Sequence, residues 1–112
     1  MADPLVLTER IGAALLVTIN RPERRNAIDG ATAAELQNAL DAFEADDSAR
    51  VMVVTGAGDE AFCAGADLKD PIGLFERDTR NESPLGFTRL TPSKPTIAAI
   101  RGYAVAGGLE LA

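Results

Sequence analysis

The stretch KPTIAAIRGYAVAGGLE, residues 94–110, decides the fold. A β-branched, apolar run leads into small residues that end in Gly107 and Gly108, and the four residues that follow favour a helix. The first amides of a helix lack internal partners and carry the positive end of its dipole, and glycines let that backbone approach a ligand. The stretch therefore predicts a strand, a glycine turn and a helix start that can hold a negatively charged oxygen. A tight turn without a ligand is the alternative, and for a glycine pair alone it is the simpler one.

Two features favour the functional alternative. Glu110 places an ionisable group three residues after Gly107, although a carboxylate there can also serve only to stabilise the helix dipole. Upstream, the small residues Ala64, Gly65 and Ala66 leave backbone groups open to a ligand, which predicts a second place to hydrogen-bond an oxyanion. The neighbouring Cys63 is more typical of a small buried hydrophobe than of a nucleophile.

Working back towards the N-terminus, the apolar runs 5–10 and 14–19 joined through Gly12 predict an antiparallel hairpin. Asp29 occupies the N-cap position of a helix predicted to run to about residue 44, and Thr32 with Glu35 offers an alternative capping box. The apolar face of this helix holds Ala33, Leu36, Leu40 and Phe43. Residues 50–55 predict a strand buried on both faces, as in a parallel sheet, and strand–helix–strand predicts a right-handed crossover.

Residues 56–61 match the loosest dinucleotide fingerprint, G-x-G-x-x-A after a strand. We reject a nucleotide site there because Asp59 and Glu60 would oppose a pyrophosphate. In addition, Gly65 and Asp70-Pro71 interrupt the chain before a helix of ten or more residues can form. Residues 56–60 are better explained as a surface turn.

Two polar segments have open roles. Residues 20–29 carry three arginines within five positions, which suit either a solvated loop or a clamp for phosphate oxygens. Residues 70–92 are irregular in composition, with room for one short helix, and are the best candidate for a mobile lid or a determinant of substrate length.

Composition narrows the class of protein. The 112 residues are 46% hydrophobic and 25% charged, which indicates one globular domain or a piece of one. A net charge of −6 argues against a nucleic acid or an anionic membrane as partner. We expect the cytoplasm, since neither a membrane-spanning run nor a signal peptide is apparent. The chain contains no histidine, which excludes histidine-based metal sites and triads within it.

Several motifs in order resemble the crotonase, or enoyl-CoA hydratase/isomerase, superfamily. They are Asn20-Arg21-Pro22 with Asn26-Ala27, the stretch FCAGADLK at 62–69, KPTIAAI at 94–100, and GYA at 102–104 with GGLELA at 107–112. The resemblance implies an α/β fold, a spiral of ββα units, of which residues 1–112 would be the N-terminal part of an acyl-CoA-binding domain. Because residue 112 falls in the first turn of a predicted helix, we expect a longer protein, and poor stability for this chain alone.

The resemblance also implies site residues. The amides of Ala66 and Gly107 would polarise a thioester carbonyl, and Glu110 matches the first of two catalytic glutamates of the hydratases. Arg24 and Arg25 would lie near the CoA phosphates. The rest of the expected acyl-CoA site is Ala64, Ala66, Asp67, Leu68, Lys69 and Gly107. One departure is Ala106, where many members have a third glycine.

The expected activity is that of a hydratase-like lyase that adds water to an α,β-unsaturated acyl-CoA. Partial burial would give Glu110 a pKa suited to proton transfer. The resemblance implies homotrimers or homohexamers and no metal or separate cofactor, since coenzyme A belongs to the substrate. An enoyl-CoA isomerase, another acyl-CoA enzyme of the family, and an inactive CoA-binding fragment are the alternatives.

Overall fold

The computed structural model describes residues 4–80, 82, 85–86 and 91–112. Within them, two strands followed by a helix occur three times, with a short 3-10 turn (Pro22–Arg24) before the first helix. The units are β1 (Val6–Ile11), β2 (Ala14–Ile19) and α1 (Gly30–Ala45); β3 (Val51–Gly56), β4 (Ala61–Cys63) and α2 (Pro71–Thr79); and β5 (Thr96–Ala99), β6 (Tyr103–Ala104) and α3 (Gly107–Leu111). The repeat is the ββα pattern expected from the sequence.

The strands form two sheets. The larger has the order β1-β2-β3-β5, in which β1 and β2 form the predicted antiparallel hairpin and β2, β3 and β5 run parallel. The smaller pairs β4 with β6, also in parallel. The second and third units therefore each add their first strand to the larger sheet and their second strand to the smaller one.

Helix α1 forms where the sequence predicts it. The Asp29 carboxylate accepts a hydrogen bond from the Thr32 amide at 2.8 Å, which caps the helix. The four predicted face residues are all buried, and they share a core with Met52 and Val54 of β3. The alternate residues of β3, Val51 and Val53, are only half-buried by the part of the chain that the structure describes. The prediction of a strand buried on both faces was therefore wrong for this structure.

Lys94 joins the end of α1 to the start of β5. Its ammonium group donates to the carbonyl oxygens of Phe43 (2.5 Å), Asp46 (2.9 Å) and Ala49 (2.7 Å). It also lies 4.3 Å from the centre of the Phe43 ring. A cation at the carboxyl end of a helix satisfies carbonyls that have no helical partner.

The segment predicted as one final strand is two strands in different sheets. Gly102 separates β5 from β6 with φ of 74°, and a Cβ on it would lie 2.1 Å from the Glu60 carbonyl oxygen. Glycine is therefore required at this bend, since no other residue fits both the conformation and the space. The bend carries residues 103–112 from the larger sheet to the smaller one.

Candidate functional site

The loop at 20–29 and the turn at 64–69 lie side by side, linked by backbone hydrogen bonds. The Ala64 amide donates to Arg25 O (3.1 Å), the Ile28 amide to Gly65 O (2.7 Å), and the Asp67 amide to Ile28 O (2.8 Å). Ile28 and Ala66 thus form a parallel bridge outside the named strands. The loop fixes the turn from one side along its length.

This bridge determines where the Ala66 amide points. A trans peptide holds its C=O and N–H on opposite sides of one plane. Because Gly65 O accepts from Ile28, the Ala66 N–H of the same peptide points away from Ile28. Within the part of the chain that the structure describes, this N–H donates no hydrogen bond, and Ala66 is exposed.

The second amide comes from the start of α3. Ala106 O accepts from the amides of Leu109 (3.1 Å) and Glu110 (3.3 Å), so the Gly107 N–H points away from the helix body. It too has no hydrogen-bond acceptor among the described residues. A Cβ built on Gly65 would lie 3.0 Å from Gly107 N, which places the two turns in close contact. The structure therefore brings together the two glycine turns that the sequence singled out.

Packing restricts side chains at both glycines, and most severely at Gly108, whose neighbour is backbone. A Cβ on Gly107 would lie 2.2 Å from Leu85 Cδ1, and one on Gly108 would lie 2.0 Å from Cys63 O. A methyl group at Gly108 would displace α3 or the β4 backbone, whereas one at Gly107 would require the end of the Leu85 side chain to move. Leu85, which sequence reasoning did not identify, covers Gly107.

Ala106 adopts a conformation that favours glycine. Its φ is 50° and its ψ is −124°, immediately before Gly107. A residue with a Cβ is strained in this region, at a cost of about 1–3 kcal/mol. Ala106 thus stores strain beside an amide of the candidate site.

A cavity of about 450 Å³ opens beside the turn at 64–69. It is lined by Glu23, Arg24, Arg25, Ala27, Ala64, Ala66, Asp67, Leu68 and Lys69. The predicted acyl-CoA residues, apart from Gly107, thus lie around one opening. Among the described residues the Arg24 and Lys69 side chains make no hydrogen bond or ion pair, whereas Arg25 donates to Glu60 at 2.8 Å in an exposed pair.

Arg21, the first of the three arginines, has a different environment from the other two. It donates to Ala27 O (2.6 Å) and Asp67 Oδ2 (3.0 Å) and lies 3.6 Å from Asp29, with 11% of its side chain exposed. The Lys69 amide donates to Asp67 Oδ1 at 2.9 Å. The Lys69 amide first, and then Arg21, hold the pKa of the Asp67 carboxyl below its usual range, although burial opposes them.

Asn26, which the sequence analysis named in a family motif without assigning it a role, is a structural residue of the site. It is fully buried with φ of 56°, and its amide donates to Ala57 O (3.0 Å) and Ala61 O (2.8 Å) while its oxygen accepts from the Arg21 amide (2.9 Å). It thereby ties the loop to both ends of the turn between β3 and β4. The sequence hint was an asparagine, the residue most tolerant of positive φ after glycine, inside a loop.

Glu110 and Cys63, the two remaining candidate residues, differ in their exposure to solvent. Glu110 lies one helical turn after Gly107 and is exposed in these 112 residues, so the partial burial expected from the sequence is absent here. Cys63 is buried, and burial raises the pKa of its thiol. A thiol that stays protonated is a poor nucleophile, which agrees with the structural role expected for it.

Residues 4–80, 82, 85–86 and 91–112 contain no group of three or more carboxylate, thiol or imidazole side chains that could hold a metal ion. None of the helices in those ranges is long and apolar enough to span a membrane. The predicted lid at 70–92 contains α2, while its residues 81, 83–84 and 87–90 lie outside the described part.

The sequence matches the family model described as enoyl-CoA hydratase/isomerase over residues 9–112. It is 46% identical over 101 residues to a mevalonyl-coenzyme A hydratase of Aspergillus fumigatus, an alignment that covers 87% of this chain and 37% of that protein. It is 43% identical over 116 residues to a carnitinyl-CoA dehydratase of Proteus mirabilis, with 100% of this chain and 43% of the relative covered. The chain thus spans less than half the length of these relatives.

Solved structures also match nearly all of this chain over less than half of their own length. An enoyl-CoA hydratase of Mycobacterium marinum superposes with a TM-score of 0.84 at 43% identity, over 98% of this chain and 43% of the other. A carnitinyl-CoA hydratase of Mycobacterium avium gives 0.82 at 38% identity, over 98% and 43%. The three ββα units therefore correspond to part of a larger fold.

Proposed function

Since the chain belongs to the enoyl-CoA hydratase/isomerase family, we propose that the protein containing it is a hydratase-like lyase that adds water to an α,β-unsaturated acyl-CoA. The observation that carries the proposal is the pair of amides of Ala66 and Gly107. They come from adjacent turns, and neither donates to an acceptor among the described residues.

The chemistry of a thioester explains the use of two such amides. Attack of water on the β-carbon moves negative charge onto the carbonyl oxygen, and the proton then returns at the α-carbon. Donors fixed in advance stabilise that charge without reorganising, and one such donor is worth roughly 3–4 kcal/mol in related cases. Ala66 and Gly107 would hold the enolate oxygen between them.

The cavity beside the turn suits the CoA portion of the substrate. Arg24 and Lys69 supply positive charge without competing ion pairs among the described residues, and Arg25 adds a third cation once it leaves its exposed pair with Glu60. The backbone and side chains of residues 64–68 would contact the adenine and pantetheine. Local charge of this kind allows a chain of net charge −6 to bind a polyanion.

Glu110 would orient and deprotonate the water. Residues three apart lie on the same side of a helix, so Glu110 can face the oxygen held by Gly107. Glu110 is exposed in these 112 residues, so the proposal includes burial of Glu110 by other parts of the assembled protein, which would also supply the second acid/base residue. A homotrimer or homohexamer in the cytoplasm is part of the proposal.

The first experiment follows the loss of the conjugated-thioester absorbance of 2-butenoyl-CoA with the full gene product, its Glu110→Gln variant and the present chain. We expect hydration by the full product and a loss of at least about a hundredfold in kcat for the variant, typical of a missing proton-transfer group. Glu9→Gln is the matched control, because Glu9 is an exposed glutamate on β1 at the opposite edge of the larger sheet from β5.

The alternatives give different results. Double-bond migration in a 3-enoyl-CoA without hydration would indicate the isomerase. Tight CoA-thioester binding without either reaction would indicate a binding protein. Equal activity of Glu110→Gln and Glu9→Gln would remove Glu110 from the mechanism while leaving the family intact.

A further inference from the structure

We propose that Asp67 and Arg21 act as positioning residues that hold the Ala66 amide in its orientation, so that Asp67 acts through the backbone rather than by contacting the substrate. The inference rests on the proposed function of that amide. It assigns Asp67 a different role from the substrate contact that the family resemblance implied.

The carboxylate of Asp67 is occupied from within the protein. Oδ2 accepts from Arg21 and Oδ1 accepts from the Lys69 amide, at 3.0 and 2.9 Å. Asp67 borders the cavity but only 11% of its side chain is exposed. A carboxylate with both oxygens engaged, next to the phosphates of a polyanionic ligand, is poorly suited to bind that ligand.

The same residue is fixed through its backbone. The Asp67 amide donates to Ile28 O at 2.8 Å, and the adjoining bond from Ile28 to Gly65 O fixes the peptide plane that carries the Ala66 N–H. Rotation of that plane would break the bond from the Ile28 amide to Gly65 O, and the bond from the Asp67 amide holds the next peptide against the same residue. The direction of the Ala66 N–H therefore depends on the contact between residues 27–29 of the loop and residues 65–67 of the turn.

Arg21 secures that contact. One branch of its guanidinium donates to Ala27 O on the loop at 2.6 Å, and the other donates to Asp67 on the turn. Its own amide is held by Asn26 Oδ1 at 2.9 Å. The planar fork of arginine can bridge two acceptors in this way, whereas the single ammonium of lysine cannot hold the same geometry.

The test measures hydrogen bonding to the carbonyl oxygen of the substrate rather than the stability of the protein. Butanoyl-CoA with a ¹³C-labelled carbonyl has no double bond to hydrate, so it reports hydrogen bonding to the thioester oxygen as a shift of its infrared C=O band to lower frequency. In the full gene product we expect Asp67→Asn to reduce that shift and lower kcat by about 10- to 100-fold, with KM changed less than about threefold. Arg21→Lys, which keeps the charge, should give the same result and serves if Asp67→Asn does not fold.

A double-mutant cycle and a matched control complete the design. Because the two side chains act on one contact, the double variant Asp67→Asn/Arg21→Lys should lose little more activity than either single variant. Asp59→Asn, which breaks the exposed pair of Asp59 with Arg101 (2.8 Å), should change neither the band nor kcat.

The outcomes separate this inference from the proposed function. A raised KM with unchanged kcat and an unchanged carbonyl band would make Asp67 a substrate contact and overturn the inference alone. A lower melting temperature with an unchanged band and kcat would leave Asp67 a purely structural role and would also overturn it. A wild-type protein that neither shifts the band nor hydrates 2-butenoyl-CoA would overturn both.

Discussion

Asp70 Oδ2 lies 2.9 Å from the amide nitrogen of Gly30, the first residue of α1. The other oxygen of the same carboxylate accepts from the Gly73 amide at 3.2 Å and caps α2. One side chain thus satisfies free amides at the starts of two helices, and the amide on α1 lies 40 residues from Asp70 in the sequence. The two helices approach closely there, since a Cβ on Gly30 would lie 3.1 Å from the Gly73 backbone.

Replacement of Asp70 should therefore destabilise both helix starts. We expect Asp70→Ala to lower the free energy of unfolding by about 1–2 kcal/mol, the upper part of the range for one N-cap, because two amides lose their acceptor. Urea denaturation of the full gene product measures the change. Asp47→Ala, at an exposed turn position, is the control, and equal effects of the two changes would contradict the shared-cap interpretation.

Asn26 should be among the least replaceable residues of the loop. Asn26→Ala leaves two carbonyl oxygens and one amide without partners, each at about 1–3 kcal/mol, and places a Cβ-bearing residue without a local hydrogen bond at positive φ. We expect a loss of at least about 3 kcal/mol in unfolding free energy. Asn38→Ala, on the exposed face of α1, should be nearly neutral; similar losses for both would show that the loop tolerates disruption.

Replacement of alanine by glycine should change stability in opposite directions at Ala106 and at Ala42. Ala106→Gly should raise stability by about 1 kcal/mol, because relief of the strain at φ of 50° exceeds the added freedom of the unfolded chain. The same exchange at Ala42, inside α1 and exposed, should lower stability by about 1 kcal/mol. The thermal unfolding midpoints of the two variants should move in opposite directions. A fall for both would mean that Ala106 is not strained.

The Asp67 carboxyl should give the protein part of its sensitivity to acid. Its pKa is lower in the folded protein than in the unfolded chain, so its contribution is fully present above the unfolded value of about 3.9. The contribution is lost as the pH falls through the lower, folded value. The stability difference between wild type and Asp67→Asn should therefore be constant above about pH 5 and shrink below about pH 4. A difference that does not depend on pH would remove the charge of Asp67 from the explanation.

Most of the fold could be predicted from local patterns, because turns, helix caps and apolar spacing are set by residues close together in the sequence. The hairpin around Gly12, the cap at Asp29 and the 3-to-4 spacing of Leu36, Leu40 and Phe43 were each confirmed. The break at Gly102 was missed because an apolar run does not say which of two sheets each half will join. The half-exposed face of β3 was missed because Val53 is equally suited to a strand buried on one face or on both.

The candidate site was predictable to a lesser degree. The residues suggested two glycine turns and an arginine cluster, and the family resemblance then assigned Ala66 and Gly107 within the turns and Arg24 and Arg25 within the cluster; these two arginines line the cavity. The separate position of Arg21 could not be foreseen, because its partners Asp67 and Ala27 are set by tertiary contacts rather than by spacing. The roles of these residues in catalysis and binding stay predictions.

The bonds from Asn26 to the β3–β4 turn also bear on how this protein is made. Ala61, one of its two carbonyl partners, is synthesised 35 residues later. At ribosomal rates of about 5–20 residues per second, that separation amounts to roughly 2–7 seconds. Until that stretch of chain has been made, the Asn26 side chain lacks this acceptor, so the loop can reach its final conformation only after β4 is available.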